Sequence, residues 1–299
     1  MSVTTAQTRR ARGRRIWGQR FALLGPGVAY WLAFFLVPVG VLIAYSFFRR
    51  GPYGGVIYEP TLKNYARALD PLYIGVLWTS VRIATVATAV ALLLAYPAAL
   101  FIARATSRWR VPLLVLVILP FWTSFLIRTY AWMVLLNPAG LINKLLQGLG
   151  LVDEPLPLLY NEFAVTLGLV YAYLPLMVLP IYASLERLGP QTGEASADLY
   201  ASPAQTLRKV TIPLTLPGIV AGCIFVFVPS LGNFIVPDLL GGGRTVMIGN
   251  VIQQQFLQAR DWPFGAVLAM SVIVLMFVVL AVQAQVLRRT QEVEDGRPA

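Results

Sequence analysis

Long apolar blocks alternate with short polar segments along this chain, and within a block the apolar positions run continuously. Six blocks stand out, at about Phe21–Phe48, Tyr73–Ala103, Val111–Leu136, Phe163–Leu185, Leu216–Val236 and Phe264–Leu287. Each supplies the roughly 20 residues a helix needs to cross a hydrocarbon core. A transmembrane barrel would show period-two alternation instead. The pattern therefore predicts an all-α, polytopic membrane protein with six transmembrane helices. The first block is far longer than the apolar core of a signal peptide and has no early small-residue cleavage site, so it reads as an uncleaved span. The predicted organisation is a basic tail over 1–20, a membrane domain over 21–287 and a second tail over 288–299.

The segments between blocks carry elements of their own. Leu141–Leu149 and Val246–Leu257 are short amphipathic stretches, which predict helices lying at the outer interface. Trp78, Trp132 and Trp262 fall near the same boundary, where indoles prefer to sit. Pro26, Pro38, Pro97, Pro120, Pro175, Pro180 and Pro229 punctuate the blocks. Each removes a backbone hydrogen bond that lipid cannot replace, so these helices are expected to pack on one another or to line a water path. Gly218 and Gly222 form a small-xxx-small pair, read as intrachain packing.

Composition agrees with the pattern. Apolar residues make up 58% and charged residues 12%, with a mean hydropathy of +0.70. Soluble domains carry about 25% charged residues. The net charge of +11 comes from arginines clustered at block ends, which suits membrane orientation better than nucleic-acid binding. With both termini inside, inner segments hold fifteen basic residues and outer segments seven. Arg82 and Arg128 lie within blocks and are read as members of structural ion pairs.

Catalytic constellations are missing from the sequence. There is no histidine, and the one cysteine, Cys223, reads as a packing residue. Gly241-Gly242-Gly243 lacks the Gly-Lys-Ser/Thr that completes a phosphate loop and reads as a flexible exit from the fifth span. The chain is thus expected to be a transporter rather than an enzyme, with no cofactor or metal of its own. A stand-alone secondary transporter would need charged midplane sites and an internal repeat, neither of which is evident.

The segment between the fourth and fifth blocks is the most informative. From Glu194 to Pro217 it reads as a short amphipathic helix, a break near Ser202-Pro203 and a second helix entering the fifth span. Glu194 and Asp198 share a face, and Leu199, Leu207 and Val210 offer apolar knobs. The segment resembles the EAA loop of ABC importer permeases, with Glu194, Ala195, Ala201, Pro213 and Pro217 at matching positions. That resemblance implies the type I permease fold. It also implies a coupling loop over about 186–215 that docks on a cytoplasmic ATPase, with Glu194, Ala195, Asp198, Tyr200, Ala201, Leu207 and Pro213 in the contact. Tyr200 stands where the family usually has glycine, which puts the local turn geometry in question.

Further segments are similar to the spermidine/putrescine importer permeases: Pro120–Trp132, Tyr171–Tyr182, Pro237–Gly242, Ile248–Asn250 and Arg260–Pro263. The implied assembly has a second homologous permease, two ATPases that use ATP and Mg, and a periplasmic polyamine-binding protein, all at a bacterial inner membrane. Other small organic solutes are the alternative cargo. A polyamine needs carboxylates for its ammonium groups and aromatic faces for its methylene spine. Asp238, Glu162, Asp261, Asn233, Trp122, Tyr130, Tyr171 and Tyr173 are the candidates, with Asp238 foremost because it follows Pro237 at the end of the fifth block.

Overall fold

The computed structural model describes residues 4–189 and 191–294, without the side chains of 4–24, 284 and 286–294. The tail arginines at 9–20, 288, 289 and 297 therefore fall outside the description, as does Pro190. The chain opens with α1 (Thr4–Ser46), a hairpin of β1 (Arg49–Arg50) and β2 (Val56–Ile57), α2 (Lys63–Ala68) and α3 (Pro71–Arg104). Next come α4 (Ser107–Ile118), α5 (Phe125–Leu136), α6 (Leu141–Gly148) and α7 (Glu162–Leu188). They are followed by α8 (Gln191–Asp198), α9 (Pro203–Thr206), α10 (Ile212–Leu214), α11 (Leu216–Gly232), α12 (Ile235–Gly241), α13 (Ile248–Leu257) and α14 (Trp262–Glu294). Among the described residues five segments are long and apolar enough to span a membrane, and the bent run from Pro203 to Gly232 makes a sixth.

The long helices start where the sequence supplies caps. Asp70 accepts from the Leu72 amide at 2.9 Å and is followed by Pro71, which is preorganised for a first helical turn. Asn161 caps α7 in the same way, at 2.9 Å from the Ala164 amide. The centre of the bundle is α3, α7 and α11. On α3, Ala84, Ala87, Ala91, Ala95 and Ala99 are fully buried, one small residue per turn. Lipid offers no hydrophobic drive between helices, so close approach through small residues has to supply the packing. At Gly218 of α11 a Cβ would stand 2.5 Å from the Pro180 carbonyl oxygen and would also strike the Ser184 hydroxyl. At Gly222 it would meet the Met177 sulfur at 2.7 Å. The small-xxx-small pair thus packs against α7 of the same chain.

Two blocks that read as single spans are interrupted. The third breaks between α4 and α5: Leu119–Trp122 tighten into a 3₁₀ turn, and Thr123 and Ser124 are extended. Pro120 is the cause, because it donates no amide and restricts the residue before it. The Thr123 hydroxyl then takes up the Pro120 carbonyl at 2.8 Å. The fifth block ends as a helix at Gly232; Asn233 is extended and its side chain caps α12.

The fifth span is also bent at its entry, by 66° between the run ending at Leu214 and α11. A π-helical turn (Leu207–Thr211) precedes α10, and Pro213 and Pro217 flank the bend, each withholding an amide. Thr215 sits fully buried at the corner. Its hydroxyl lies 2.8 Å from the Thr211 carbonyl oxygen and 3.2 Å from the Tyr96 hydroxyl of α3.

Helices form over both short amphipathic stretches, as α6 and α13, and the first turn of α13 is buried in the bundle. Ile248, Gly249, Asn250 and Val251 are buried, and the Ile248 amide donates to the Ser80 hydroxyl at 2.7 Å. The polar residue of that turn, Asn250, is satisfied inside the protein, whereas Gln254 farther along is exposed. The glycine triplet is not a loose exit from the fifth span. Gly241 ends α12, and Gly242, at φ +56, leaves no room for a side chain beside the Tyr160 ring.

Candidate functional site

The loop between α7 and α11 is a folded surface element. Ser196 is the buried residue of α8, and its hydroxyl donates to the Thr192 carbonyl oxygen of the same helix at 2.9 Å. Glu194, Ala195 and Asp198 occupy exposed positions on α8. Beyond α8 the chain reverses, with the Tyr200 amide 2.9 Å from the Ala197 carbonyl oxygen and the Ala201 amide 3.1 Å from that of Ser196. The reversal puts Tyr200 at φ +55, the left-handed conformation that glycine adopts freely. Tyrosine therefore takes up the glycine geometry and carries the strain. Ser202 and Gln205 then close a capping box that starts α9, the Ser202 amide donating to Gln205 Oε1 at 2.9 Å. Leu207 is half-buried and Pro213 exposed. The tip presents Leu199 and Tyr200, 82% and 99% exposed, an apolar pair left uncovered by the described residues.

Behind the loop a cavity of about 360 Å³ separates α8 from the bundle, lined in part by Arg104, Arg110, Glu186, Thr192 and Thr206. The contact between loop and spans is thus partly hollow, with charged side chains among an otherwise largely apolar lining. Tyr200→Gly is expected to relieve roughly 0.7 kcal/mol of left-handed strain, slowing amide exchange across 197–203 about threefold. Unchanged exchange there would mean the turn is unstrained.

The candidate pathway residues fall into two groups. Asn233, Tyr173 and Asp238 gather at the break between α11 and α12. Asn233 Nδ2 donates to the Tyr173 hydroxyl at 2.8 Å, and Asn233 Oδ1 accepts from the Val236 amide at 2.9 Å. Asn233 is thus a hinge residue between two helices rather than a polar group inside a span. Asp238 is exposed, with one oxygen 3.0 Å from Asn250 Nδ2. Asn250 also donates to the Phe234 carbonyl oxygen at 2.8 Å, so it ties α13 to the α11–α12 junction. The other candidates lie elsewhere. Glu162 is paired with Arg82 across α7 and α3, each about half exposed. Asp261 is buried, 2.9 Å from Arg67, whose guanidinium lies 3.9 Å from the centre of the Phe264 ring. Trp122, in the 3₁₀ turn, is 78% exposed and Tyr130 on α5 is 49% exposed. Tyr171 packs edge-on against Trp132 at 5.4 Å.

Of the two arginines read as ion-paired, only Arg82 is. Arg128 has no carboxylate partner among the described residues; its Nε and Nη1 are buried without an acceptor, and Phe121 and Phe125 lie 5.2 and 5.9 Å from its guanidinium carbon. The described residues contain no cluster of three metal-ligating side chains. The sequence reading missed Ser80, Tyr96, Thr215 and Asn250. The first three are ordinary polar residues within or beside apolar blocks, and only the fold shows which backbone gaps they fill.

A bundle of spans with a folded loop on one face is the arrangement of an importer permease. Residues 91–292 match the family described as the binding-protein-dependent transport system inner membrane component, and the chain belongs to it. Among relatives, it is 45% identical over 253 residues to the spermidine/putrescine transport system permease protein PotB of Escherichia coli (strain K12), covering 84% of this chain and 92% of that protein. It is 41% identical over 253 residues to PotB of Haemophilus influenzae, covering 84% and 88%. It is 38% identical over 237 residues to the inner membrane ABC transporter permease protein YdcU of Escherichia coli (strain K12), covering 75% of each. In fold it resembles a chain from the crystal structure of a bacterial ABC transporter involved in the import of the acidic polysaccharide alginate. There the TM-score is 0.70 at 18% identity, over 92% of this chain and 99% of that one.

Proposed function

We propose that this chain forms one half of the membrane pore of an ATP-driven importer of polyamines. The likeness to the PotB proteins, over 84% of the chain, is the observation that carries the substrate class. The assembly would hold a second homologous permease, two cytoplasmic ATPases that use ATP and Mg, and a periplasmic polyamine receptor. Both termini would lie in the cytoplasm, an orientation supported by the excess of basic residues on the segments then inside.

Glu194, Ala195, Asp198, Tyr200, Ala201, Leu207 and Pro213 form the ATPase contact in this reading. The exposed Leu199–Tyr200 tip supports it, because such a pair is stable once it enters a groove on a partner. Along the path, Asp238 would meet an ammonium group. It is exposed, acidic and held in position by Asn250 through only one of its two oxygens. The exposed rings of Tyr130 and Trp122 would offer faces to the methylene spine. Asn233 and Tyr173 would shape the path by fixing the α11–α12 break, and Glu162 would act through its pair with Arg82.

The test is uptake of labelled putrescine and spermidine by the reconstituted complex with its receptor. Asp238→Asn is expected to reduce uptake about tenfold at constant expression, the scale of one lost charge-assisted contact. Unchanged uptake would remove Asp238 from the path. Transport of a different solute, with neither polyamine moved, would overturn the substrate.

A further inference from the structure

We infer that an anionic phospholipid seats its phosphate beside Arg104 and Arg110, in the cavity behind α8, and lays an acyl chain in the groove next to it. The inference goes beyond the functional reading above and does not rest on it. Two recesses meet at Arg104. One is the cavity of about 360 Å³ between α8 and the bundle, which Arg104 lines together with Arg110, Glu186, Thr192 and Thr206. The other is an open groove of about 400 Å³, lined by Arg104 together with the apolar side chains of Phe101, Trp109 and Leu113. A charged recess and an apolar one, joined at a single side chain, match the two ends of an amphiphile.

Charge sets the sign of the headgroup. Two guanidiniums and one carboxylate line the cavity, an excess of positive charge that a phosphodiester balances. None of the three lies within ion-pair distance of an opposite charge among the described residues. Glu186 accepts from the Tyr182 hydroxyl at 2.9 Å. Arg110 Nε donates to the Ala105 carbonyl oxygen at 3.0 Å, which pins the side chain across the turn from α3 to α4. A guanidinium held this way offers its terminal nitrogens as a fork for phosphate oxygens. The level also suits a headgroup. The candidate spans Pro71–Arg104 and Glu162–Leu188 both end at this cavity, and a chain leaving the hydrocarbon core passes through the headgroups. Arginine at a span end is commonplace, and Arg108 is one that lines neither recess. Arg104 and Arg110 differ in lining a pocket between spanning helices, where anionic headgroups bind. Free phosphate shares that chemistry but leaves the groove unused, with Phe101 67% and Trp109 55% exposed. Lipid satisfies both recesses.

The experiment uses the full chain, in the complex with which it purifies, reconstituted in phosphatidylcholine vesicles. A rising fraction of either phosphatidylglycerol or phosphatidylcholine is brominated, and Trp109→Phe gives the emission to subtract, so that quenching of Trp109 is read. Phosphatidylglycerol is expected to half-quench Trp109 at a mole fraction about tenfold below phosphatidylcholine, the scale two arginines provide. Arg104→Gln combined with Arg110→Gln is expected to bring that ratio down to about two or less, with the size-exclusion profile unchanged. Arg108→Gln removes the same kind of charge from the turn that holds Arg110 and is expected to keep most of the preference. Equal half-quenching by the two lipids in wild type would overturn the inference. So would an equal loss with Arg108→Gln, which would reduce the preference to diffuse surface charge. If the double variant fails to assemble, the wild-type ratio and Arg108→Gln decide. Inorganic phosphate, at matched ionic strength, is expected to leave the ratio unchanged. Its loss in phosphate would assign the cavity to a soluble anion and overturn the lipid.

Discussion

Gly218→Leu is expected to leave little folded protein in the membrane. A side chain at this position enters the backbone of α7, because the Pro180 carbonyl oxygen lies only 2.5 Å from where a Cβ would stand. A backbone oxygen cannot swing aside as a side chain can, so α7 and α11 must separate. Overpacking a buried position usually costs about 1–3 kcal/mol, and a collision with main chain at the centre of the bundle belongs at the top of that range or above it. Such a loss is a large part of the total stability of a typical protein. Gly222→Ala provides the comparison. Its nearest neighbour is the thioether of Met177, the flexible end of a side chain, so a loss of about 1 kcal/mol is expected. Thermal unfolding in detergent, followed by size-exclusion chromatography, reads both. Equal midpoints for the two variants would contradict the packing of α7 on α11.

Glu194→Lys should have the opposite profile, with stability kept and transport lost. Glu194 is exposed on the first turn of α8, where its charge favours the helix by only about 0.3–1 kcal/mol. Reversing it therefore changes the unfolding midpoint little. In the proposed assembly the same change would place a cation in the ATPase contact. Uptake is expected to fall tenfold or more, and the ATPase should lose its stimulation by loaded receptor. The two readouts separate the roles: a matched loss of thermal stability would make Glu194 a structural residue, and full uptake would remove α8 from the coupling contact.

These two residues differ in how openly the sequence declared them. The loop resemblance that singles out Glu194 was legible because spacing over more than twenty residues survives whatever the local conformation is. The spans were legible for a similar reason. The block at Tyr73–Ala103 became α3 (Pro71–Arg104) and that at Phe163–Leu185 became α7 (Glu162–Leu188), since apolar runs bounded by Asp70-Pro71 and Asn161 leave little choice. Interruptions were harder. A proline such as Pro97 passes through α3 within one continuous helix, whereas Pro120 ends α4, and the difference lies in Thr123 and Ser124, which the chain leaves extended. The burial of the first turn of α13 was not legible either. Alternating polarity looks the same whether the polar side faces water or, as for Asn250, another backbone. Ion pairs were least legible. Arg82 and Arg128 read alike, yet Glu162 reaches only the first, because pairing depends on which helices are neighbours.

The corner at Thr215 has a bearing on how force travels. A straight helix running from the loop into the fifth span would behave as a rod, passing a push along its axis and sliding against its neighbours. A bar bent by 66° turns the same push into rotation about the elbow. The Thr215 hydroxyl is set between the Thr211 carbonyl and the Tyr96 hydroxyl, so α3 would be the bearing for such a rotation. Small movements where Leu199 and Tyr200 project would then be read at the far end of α11 as a twist at Asn233, where the helix is already cut and a change of angle costs least.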